Sequence, residues 1–372
     1  MKKLLLLLAI TFSTASYSQT AITDANFQDA INTCLTTNPV DGMCTSSEYG
    51  AMPDWDVSNV TDMEQAFLNK EDFNADISGW DVSNVETMSL MFYVASSFNQ
   101  DITGWNTVNV TNMFGLFYKA SDFNQPIGIW NVNNVTDMKS MFRNTELFNQ
   151  PINNWNVTNV ESMSQMFLGA LLFNQDLSGW DVSKVTEMET MFGGNSPFNQ
   201  DIGDWDVSSL TKMGAMFASN SSFNQDLSGW DVSNVESMSS LFNGASSFNQ
   251  NLSQWNIIQL NLATNMFNDS GLSTDNYDLL LNSWSQLGVQ SAVELGVLGV
   301  NYCNGEDARQ SLIDTYGWII TDDGLDCSTA SVDDQNQLDI SIYPNPTSDM
   351  VYIEGNYTQL KVIIYNVLGK EI

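Results

Sequence analysis

The sequence predicts a repeat solenoid, built from short coils that stack along one axis. Tryptophan recurs every 25 residues, nine times in succession, at Trp55, Trp80, Trp105, Trp130, Trp155, Trp180, Trp205, Trp230 and Trp255. Apolar residues return at fixed distances from each tryptophan, and an amphipathic stretch lies on either side of the array. A period of about 20 to 50 residues indicates units that are stable only when stacked on their neighbours. We number the coils 1 to 9 by these tryptophans and give positions as distances from the tryptophan.

Each coil combines two local periods. Positions +5, +8, +11 and +12 follow helical spacing, so Val85, Met88, Met91 and Phe92 would share one face of a short helix. The run from Thr61 to Glu64 is typical of a capping box at the start of such a helix. The apolar residue at +2, next but one to the tryptophan, indicates a short strand. The expected unit is therefore one short strand plus one short helix, with a return loop through the Phe-Asn-Gln stretch.

The array, residues 54–270, should carry a cap at each end, because a terminal coil would otherwise expose its core. The N-terminal cap, residues 19–53, contains one predicted helical stripe, formed by Phe27, Ala30, Ile31, Cys34 and Leu35. The C-terminal cap, residues 271–328, contains a second stripe, formed by Tyr277, Leu280, Leu281, Trp284 and Leu287. A further helix closed by Gly317 should lead into a strand at 318–320.

Both ends of the chain differ from the array. Residues 1–18 have a basic start, a short apolar run and small residues before a cleavage point, as a secretory signal peptide does. Residues 329–338 form a polar linker. Residues 339–372 predict a small β segment, with a turn at Tyr343-Pro-Asn-Pro346 and strands at 351–353 and 360–365. No stretch approaches the roughly 20 apolar residues of a transmembrane helix.

Composition limits the chemistry. The chain has 44 acidic and 11 basic residues, and this negative charge repels nucleic acid and anionic membranes. Histidine is absent, which removes the commonest general base and the usual nitrogen ligand of catalytic metals. We therefore expect no enzymatic activity. Carboxylate-pair chemistry of the glycosidase kind is the alternative.

Four cysteines lie outside the array, and in an exported protein an even number predicts disulfides. Nine coils stacked at about 4.8 Å separate the array ends by roughly 40 Å, whereas bridged Cα atoms lie about 5.5 to 6 Å apart. The expected pairs are Cys34 with Cys44 and Cys303 with Cys327.

The repeated unit, as in FNQDLSGWDVSNVESMSSLFNGASS from Phe223, resembles the 25-residue repeat of BspA family leucine-rich repeat surface proteins and of mycoplasma surface lipoproteins. The resemblance covers about 300 residues of the chain. It implies an exported, leucine-rich-repeat-like solenoid that acts in adhesion, with no catalytic residues to carry over.

The tail is similar to the C-terminal sorting domain of the Bacteroidetes type IX secretion system, at Tyr343-Pro-Asn-Pro346 and at residues 362–370. This implies contact with the type IX export machinery and a secreted or outer-surface location. The chain stops at Ile372, where the family has later strands, so an incomplete sorting domain is expected.

Three sets of repeated side chains are candidate sites. The tryptophans are either core or an exposed ladder for sugars, and core is favoured because they lie in phase with the apolar positions. A second set is the asparagines at +19, namely Asn74, Asn99, Asn124, Asn149, Asn174, Asn199, Asn224 and Asn249. We interpret them as a hydrogen-bonded ladder that satisfies turn backbone inside each coil.

Aspartates form the third set, in two registers. Position +21 holds Asp76, Asp101, Asp176, Asp201 and Asp226, and position +1 holds Asp56, Asp81, Asp181, Asp206 and Asp231. Turn capping is the favoured role, and calcium binding is the alternative, since calcium prefers oxygen ligands. No other cofactor is expected.

Together these observations predict a non-catalytic secreted or cell-surface protein that binds its partner through the face of a repeat solenoid. The partner would be a protein, a matrix component or a glycan. Carbohydrate binding through exposed aromatic residues is the first alternative, and a carboxylate-pair glycosidase the second.

Overall fold

The computed structural model describes residues 20–328, together with the backbone of 340–343 and 352–355. The chain divides into two units, residues 1–327 and 328–372. The predicted signal peptide, the linker and the predicted strand at 360–365 lie outside the described residues. The helices of the first unit are α1 (Phe27–Thr37), α2 (Thr274–Trp284) and α3 (Glu306–Tyr316). Its strands are β1 (Glu294–Gly296) and β2 (Ile319–Thr321), and short 3₁₀ turns lie at Met52–Asp54 and Ile127–Ile129.

The nine coils stack in parallel, each bonded to the next. One parallel bridge per coil joins the residues at +7, from Asp62 to Thr87 and onward without interruption to Leu262. On one side of this bridge the N–H at +6 donates to the carbonyl at +6 of the preceding coil, as Glu86 does to Thr61. On the other side the N–H groups of Met63, Gln65 and Phe67 donate to carbonyls of coil 2. Each of these N–H groups therefore finds its acceptor in a neighbouring coil.

The predicted short helix of each coil is wrong, and so is its capping box. Between Trp55 and Ser270 the structure has no α-helix, and its only strand-like contacts are the isolated bridges at +7 and at Ala263. The short strand predicted at the tryptophan and +2 is therefore wrong as well. A helix would send the N–H of Phe67, at +12, to the carbonyl of Met63, but that N–H donates to Met91 of the next coil. Two successive β-turns occupy the segment instead, closed by Ala66 N–H to Met63 and by Lys70 N–H to Phe67. Turns four residues apart bring +8 and +12 inward, which imitates helical spacing.

Each pair of turns places two residues in the left-handed region, as type II turns require at their third position. These residues lie at +10 and +14 in all nine coils, with φ between 54° and 72°. Glycine occupies +14 in coils 5, 6 and 8, as Gly169, Gly194 and Gly244. Coil 2 carries Val94 there, at φ 57°, and a β-branched residue is strained in this conformation.

We expect Val94→Gly to raise the melting temperature. Relief of left-handed strain contributes about 1–2 kcal/mol, and the extra backbone entropy of glycine costs about 0.5–1 kcal/mol. The matched control is Ala95→Gly, one residue away, because Ala95 is fully buried and should destabilise the array when truncated. Thermal unfolding followed by circular dichroism measures both. A lower melting temperature for Val94→Gly would contradict the strain argument.

Phenylalanines build the centre of the array in two ladders. Within a coil the rings at +12 and +18 stack closely, as Phe67 and Phe73 do with centroids 3.8 Å apart. Between coils the +12 rings follow each other at 5.5–5.9 Å, as in the contact of Phe67 with Phe92 at 5.5 Å. These rings belong to one continuous buried cluster that runs from Ile22 to Trp318. The core of each coil is therefore completed by the rings of its neighbours.

The nine array tryptophans close one side of this core. Each is only 1–4% exposed. From Trp80 onward each indole N–H donates to the carbonyl 28 residues earlier, as Trp80 does to Met52 at 3.0 Å. Trp318 makes the same bond to Gln290, although it lies outside the 25-residue spacing. The indoles are thus buried, and their N–H groups are already bonded within the array.

The N-terminal cap is built on α1. Its predicted stripe is buried, and the Cys34–Cys44 disulfide is formed, with Cα atoms 5.2 Å apart. The carboxylate of Asp24 accepts the N–H groups of Thr61 and Asp62, at 2.8 and 3.1 Å. In later coils a preceding carbonyl fills this role. Asp24 therefore replaces the missing coil at the start of the array.

The C-terminal cap continues the stacking beyond coil 9. Ala263 bridges to Leu295 of β1, and β1 pairs in parallel with β2, starting with Glu294 opposite Ile319. Helix α2 buries four residues of the predicted stripe, and Gly317 ends α3 in the left-handed conformation at φ 69°. The Cys303–Cys327 disulfide is formed, so both predicted pairings are confirmed.

The second unit contains one antiparallel pair within its described residues. Strand β3 (Ile340–Tyr343) pairs with β4 (Tyr352–Gly355), and Ile340 lies opposite Gly355. The predicted strand at 351–353 overlaps β4.

Candidate binding surfaces

The asparagine ladder at +19 connects neighbouring coils, whereas we had expected it to act inside each coil. Asn99 N–H donates to Asn74 Oδ1 at 3.0 Å, and this bond joins every successive pair up to Asn224 and Asn249. The neighbouring glutamine amide also reaches back, as Gln175 Nε2 does to Asn149 Oδ1 at 2.9 Å. Ser273 N–H closes the series on Asn249. The ladder therefore holds neighbouring coils together, and its amide oxygens are already occupied as acceptors.

Replacing Asn149 by alanine should destabilise the array by about 1–3 kcal/mol, because the part-buried Asn174 N–H loses its acceptor. The Gln175 amide loses one of its two acceptors and keeps the backbone carbonyl of residue 149. Asn153→Ala is the matched control, since Asn153 is exposed in the same coil. Chemical denaturation of both variants measures the difference. Equal midpoints for Asn149→Ala and Asn153→Ala would contradict the ladder.

The two aspartate registers cap turns. Asp81 Oδ1 accepts the N–H of Ser83 at 3.0 Å, and Asp76 Oδ1 accepts that of Ser78 at 3.0 Å. Asparagine makes the same bond where it replaces aspartate, as Asn131 does with Asn133 N–H. Within residues 20–328 no group of three or more Cys, Asp or Glu side chains is placed to hold a metal ion. The geometry agrees with the favoured capping role.

These turns should make the array sensitive to acid. Hydrogen bonds from the side chain and backbone of Ser83 lower the pKa of Asp81 below its ordinary value of 3.8, and those from Ser58 do the same for the pKa of Asp56. A carboxyl whose folded pKa is lowered stabilises the fold above its unfolded pKa, and this is lost as pH falls through the folded pKa. We expect the melting temperature to drop below about pH 4.

A variant with Asp56, Asp81, Asp181 and Asp231 changed to asparagine is the control for this pH dependence. Asparagine keeps the capping oxygen and does not titrate, so this variant should lose less of its melting temperature between pH 6 and pH 3. An identical loss in both proteins would show that the capping carboxylates do not cause it.

An open groove crosses coils 1 to 4 and has a volume of about 710 Å³. It is lined by amides and hydroxyls, with one carboxylate, from Ser58, Asn59, Thr61, Asn84, Glu86, Asn109, Thr111 and Asn134. The amide nitrogens of Asn84, Asn109 and Asn134 each donate to a backbone carbonyl of the preceding coil, at 2.7–2.9 Å. Because its nitrogen is bonded to the backbone, each of these amides has a fixed orientation. Its oxygen can then accept a hydrogen bond from a ligand.

A second surface, the aromatic–cation cluster, consists of Tyr93, Tyr118, Lys119, Arg143 and Gln165. The rings of Tyr93 and Tyr118 stack with centroids 4.5 Å apart and planes 12° apart. Arg143 Cζ lies 5.2 Å, and Lys119 Nζ 5.7 Å, from the centroid of Tyr118. Arg143 Nη1 also donates to Gln165 Oε1. This cluster is not among the candidate sites predicted from the sequence, although Tyr93, Tyr118 and Arg143 at +13 of three successive coils could have indicated it.

The most strongly perturbed titratable group lies in the C-terminal cap. Tyr277 O–H donates to Asp322 at 2.8 Å, and Arg309 binds the same carboxylate at 2.7 Å. Burial and the Asp322 charge raise the pKa of Tyr277 well above its ordinary value. The Asp322 side chain is only 2% exposed, so this network ties α2 to α3 and β2 and is closed to a substrate.

Comparison with known proteins identifies two segments. The family model described as "Mycoplasma protein of unknown function, DUF285" matches three times, at residues 40–142, 103–192 and 178–284. The model described as "Secretion system C-terminal sorting domain" matches residues 341–372, which implies export and a surface or secreted location. No curated protein and no solved structure matches the chain. No described helix has the length and hydropathy needed to cross a membrane.

Proposed function

The chain belongs to the DUF285 family, whose model covers about two thirds of it, and from this we propose that it is a non-catalytic surface protein whose array binds an external partner. In this proposal the array is a solenoid related to the BspA-type leucine-rich repeat proteins. The sorting domain carries it through the export machinery. The array then presents its polar faces outside the cell.

One observation carries this proposal: the side chains that hold the coils together are different from those left free at the surface. The indole N–H groups, the +19 amide oxygens and one oxygen of each capping aspartate are bonded within the array. Acceptors and charges that do not hold the coils together remain in the groove and in the aromatic–cation cluster, both on coils 1 to 5. Such an extended surface on a stacked array is typical of binding proteins. The network of Tyr277, Asp322 and Arg309 in the C-terminal cap is buried, so it does not favour a catalytic function.

Carbohydrate binding is the second candidate, and the groove favours it. Its amide oxygens follow each other at the coil spacing of about 4.8 Å, which suits a linear chain of hydroxyl-bearing units. The tryptophans do not support this candidate, because they are buried.

Two measurements test the proposal. Cells that express the full chain should expose it to external protease and to antibody, and a chain that stays intracellular would overturn the surface assignment. Purified protein should bind an immobilised matrix protein or glycan in a panel screen without converting it. Turnover of a polysaccharide that is lost when the groove carboxylate is removed, in Glu86→Gln, would establish a glycosidase activity instead.

A further inference from the structure

The aromatic–cation cluster is a concentration of positive charge on an acidic molecule. The chain carries 44 acidic and 11 basic residues. Residues 20–328 contain seven of these cations, and Lys119, Lys139 and Arg143 lie on two adjacent coils. Lys119 N–H donates to the carbonyl of Arg143, and Gly115 N–H to that of Lys139, so these coils are in direct contact.

None of these three cations forms a salt bridge with the residues that the structure describes. The two bridges found there are Lys212 with Glu187 and Arg309 with Asp322. Asp137 accepts the backbone N–H of Lys139 and interacts with its charge, although the two form no salt bridge. Arg143 is half-buried, and its Nε has no hydrogen-bond partner. Lys119 and Arg143, the two cations of the cluster, therefore have no salt-bridge partner among the described residues and can take their counter-charge from a ligand.

The cluster is also rigid. Arg143 is held between the Tyr118 ring on one coil and the Gln165 amide on another. A guanidinium fixed in this way loses little freedom when it binds a planar anion such as a carboxylate. Neither tyrosine hydroxyl is bonded to a described residue, so both can bind a ligand.

We propose that the cluster binds the carboxylate of a uronic acid within a linear polysaccharide, with Arg143 and Lys119 as its cationic ligands. The proposal rests on the proposed surface-binding function and names the chemistry of its ligand. The carboxylate takes the charges of Arg143 and Lys119, while the tyrosine hydroxyls and the Gln165 amide bond the sugar hydroxyls.

The spacing of the cluster favours a sugar chain over an acidic peptide. One side chain per coil is contributed by Tyr93, Tyr118, Arg143 and Gln165, from four successive coils, and the two rings are 4.5 Å apart. This step is close to the length of one sugar unit in an extended chain. An extended peptide advances about 3.3 Å per residue and would fall out of phase within a few residues.

The charge of the whole chain sets the conditions of binding. At an ionic strength of 0.15 M the Debye length is about 8 Å, so most distant carboxylates are screened from the ligand while the contacting cations are not. Binding should therefore be strongest at intermediate salt. Lower salt restores the general repulsion, and higher salt weakens the contact itself.

Titration calorimetry of the full chain with a galacturonate hexasaccharide tests the proposal, with the neutral galactose hexasaccharide and inorganic sulfate as comparison probes. We expect the uronate to bind at 0.15 M salt and the neutral probe at least tenfold more weakly. Arg143→Gln should weaken uronate binding at least tenfold, since it removes the charge-assisted bonds. Arg143→Lys should recover part of this loss, and Tyr118→Leu should weaken binding because it releases the guanidinium.

Lys184→Gln is the matched control, since Lys184 carries the same charge at an exposed position of coil 6 and donates to Asn159. It should bind the uronate like the unchanged protein, and melting temperatures show that each variant is folded. Equal affinity of Arg143→Gln and Lys184→Gln overturns the site. Equal binding of uronate and neutral probe overturns the charge assignment, and tight binding of sulfate alone makes it a general anion site. All of these results leave the surface location, tested by external protease, undisturbed.

Discussion

Replacing Phe142 by alanine should lower the free energy of unfolding by about 3–5 kcal/mol. Phe142 is fully buried in the centre of the array. Its ring stacks on Phe148 at 4.1 Å within coil 4 and lies 5.7 Å from Phe117 and 5.6 Å from Phe167 in the flanking coils. The change therefore leaves a cavity at two coil interfaces at once.

The position of the cavity should also change how the array unfolds. In a stacked array each coil contacts only its neighbours, so a weak coil in the middle divides one cooperative unit into two. Hydrogen exchange should be fastest in coils 3 to 5 of the variant, and thermal unfolding should broaden. Glu146→Ala, an exposed change in the same coil, is the control. A uniform rise in exchange along all nine coils would contradict the nearest-neighbour account.

Asp278→Ala should destabilise the C-terminal cap by about 3 kcal/mol or more, because three backbone donors lose their acceptor. Asp278 is 4% exposed on α2. Its carboxylate accepts the N–H groups of Cys303, Asn304 and Gly305 at 3.0, 2.7 and 2.9 Å. These groups include the start of α3 and one end of the second disulfide, so one side chain fixes both to α2.

Denaturation of Asp278→Ala should show the cap unfolding before the array, since the bonds of coils 1 to 8 are unchanged. Asp278→Asn keeps one acceptor oxygen and should lose less. Asp314→Ala, an exposed change near the end of α3, is the control and should have little effect. A stability loss for Asp278→Ala no larger than that of Asp314→Ala would show that water replaces the carboxylate.

Several structural features could be predicted from the chain alone. The helical stripes of the caps emerged because a surface helix must bury one face, and that face repeats every three to four residues. The disulfides followed from the length of the array, which keeps distant cysteines apart. The short helix of each coil was mispredicted because two stacked β-turns bring residues inward at nearly the same spacing as a helix.

The side chains that could meet a partner were harder to find. The groove amides and the aromatic–cation cluster consist of residues 22 to 26 positions apart, such as Tyr118 and Arg143, or Arg143 and Gln165. No pattern within a single coil links them, and the 25-residue period does not by itself show which positions face the surface. They become neighbours because the coils stack in register, which brings equal positions of successive coils to strand spacing.

The tryptophan period already determines the register of the array, its length and the need for caps, because a repeat of this size cannot bury its apolar face alone. The direction of the polar bonds is a different matter. Asn74 could have closed its own turn or reached its neighbour, and the stacked backbone selects the neighbour because the N–H of Asn99 lies there without another acceptor. Side chains that do not take part in this bonding, above all Arg143, have their environment set by residues that are distant in sequence and adjacent in space.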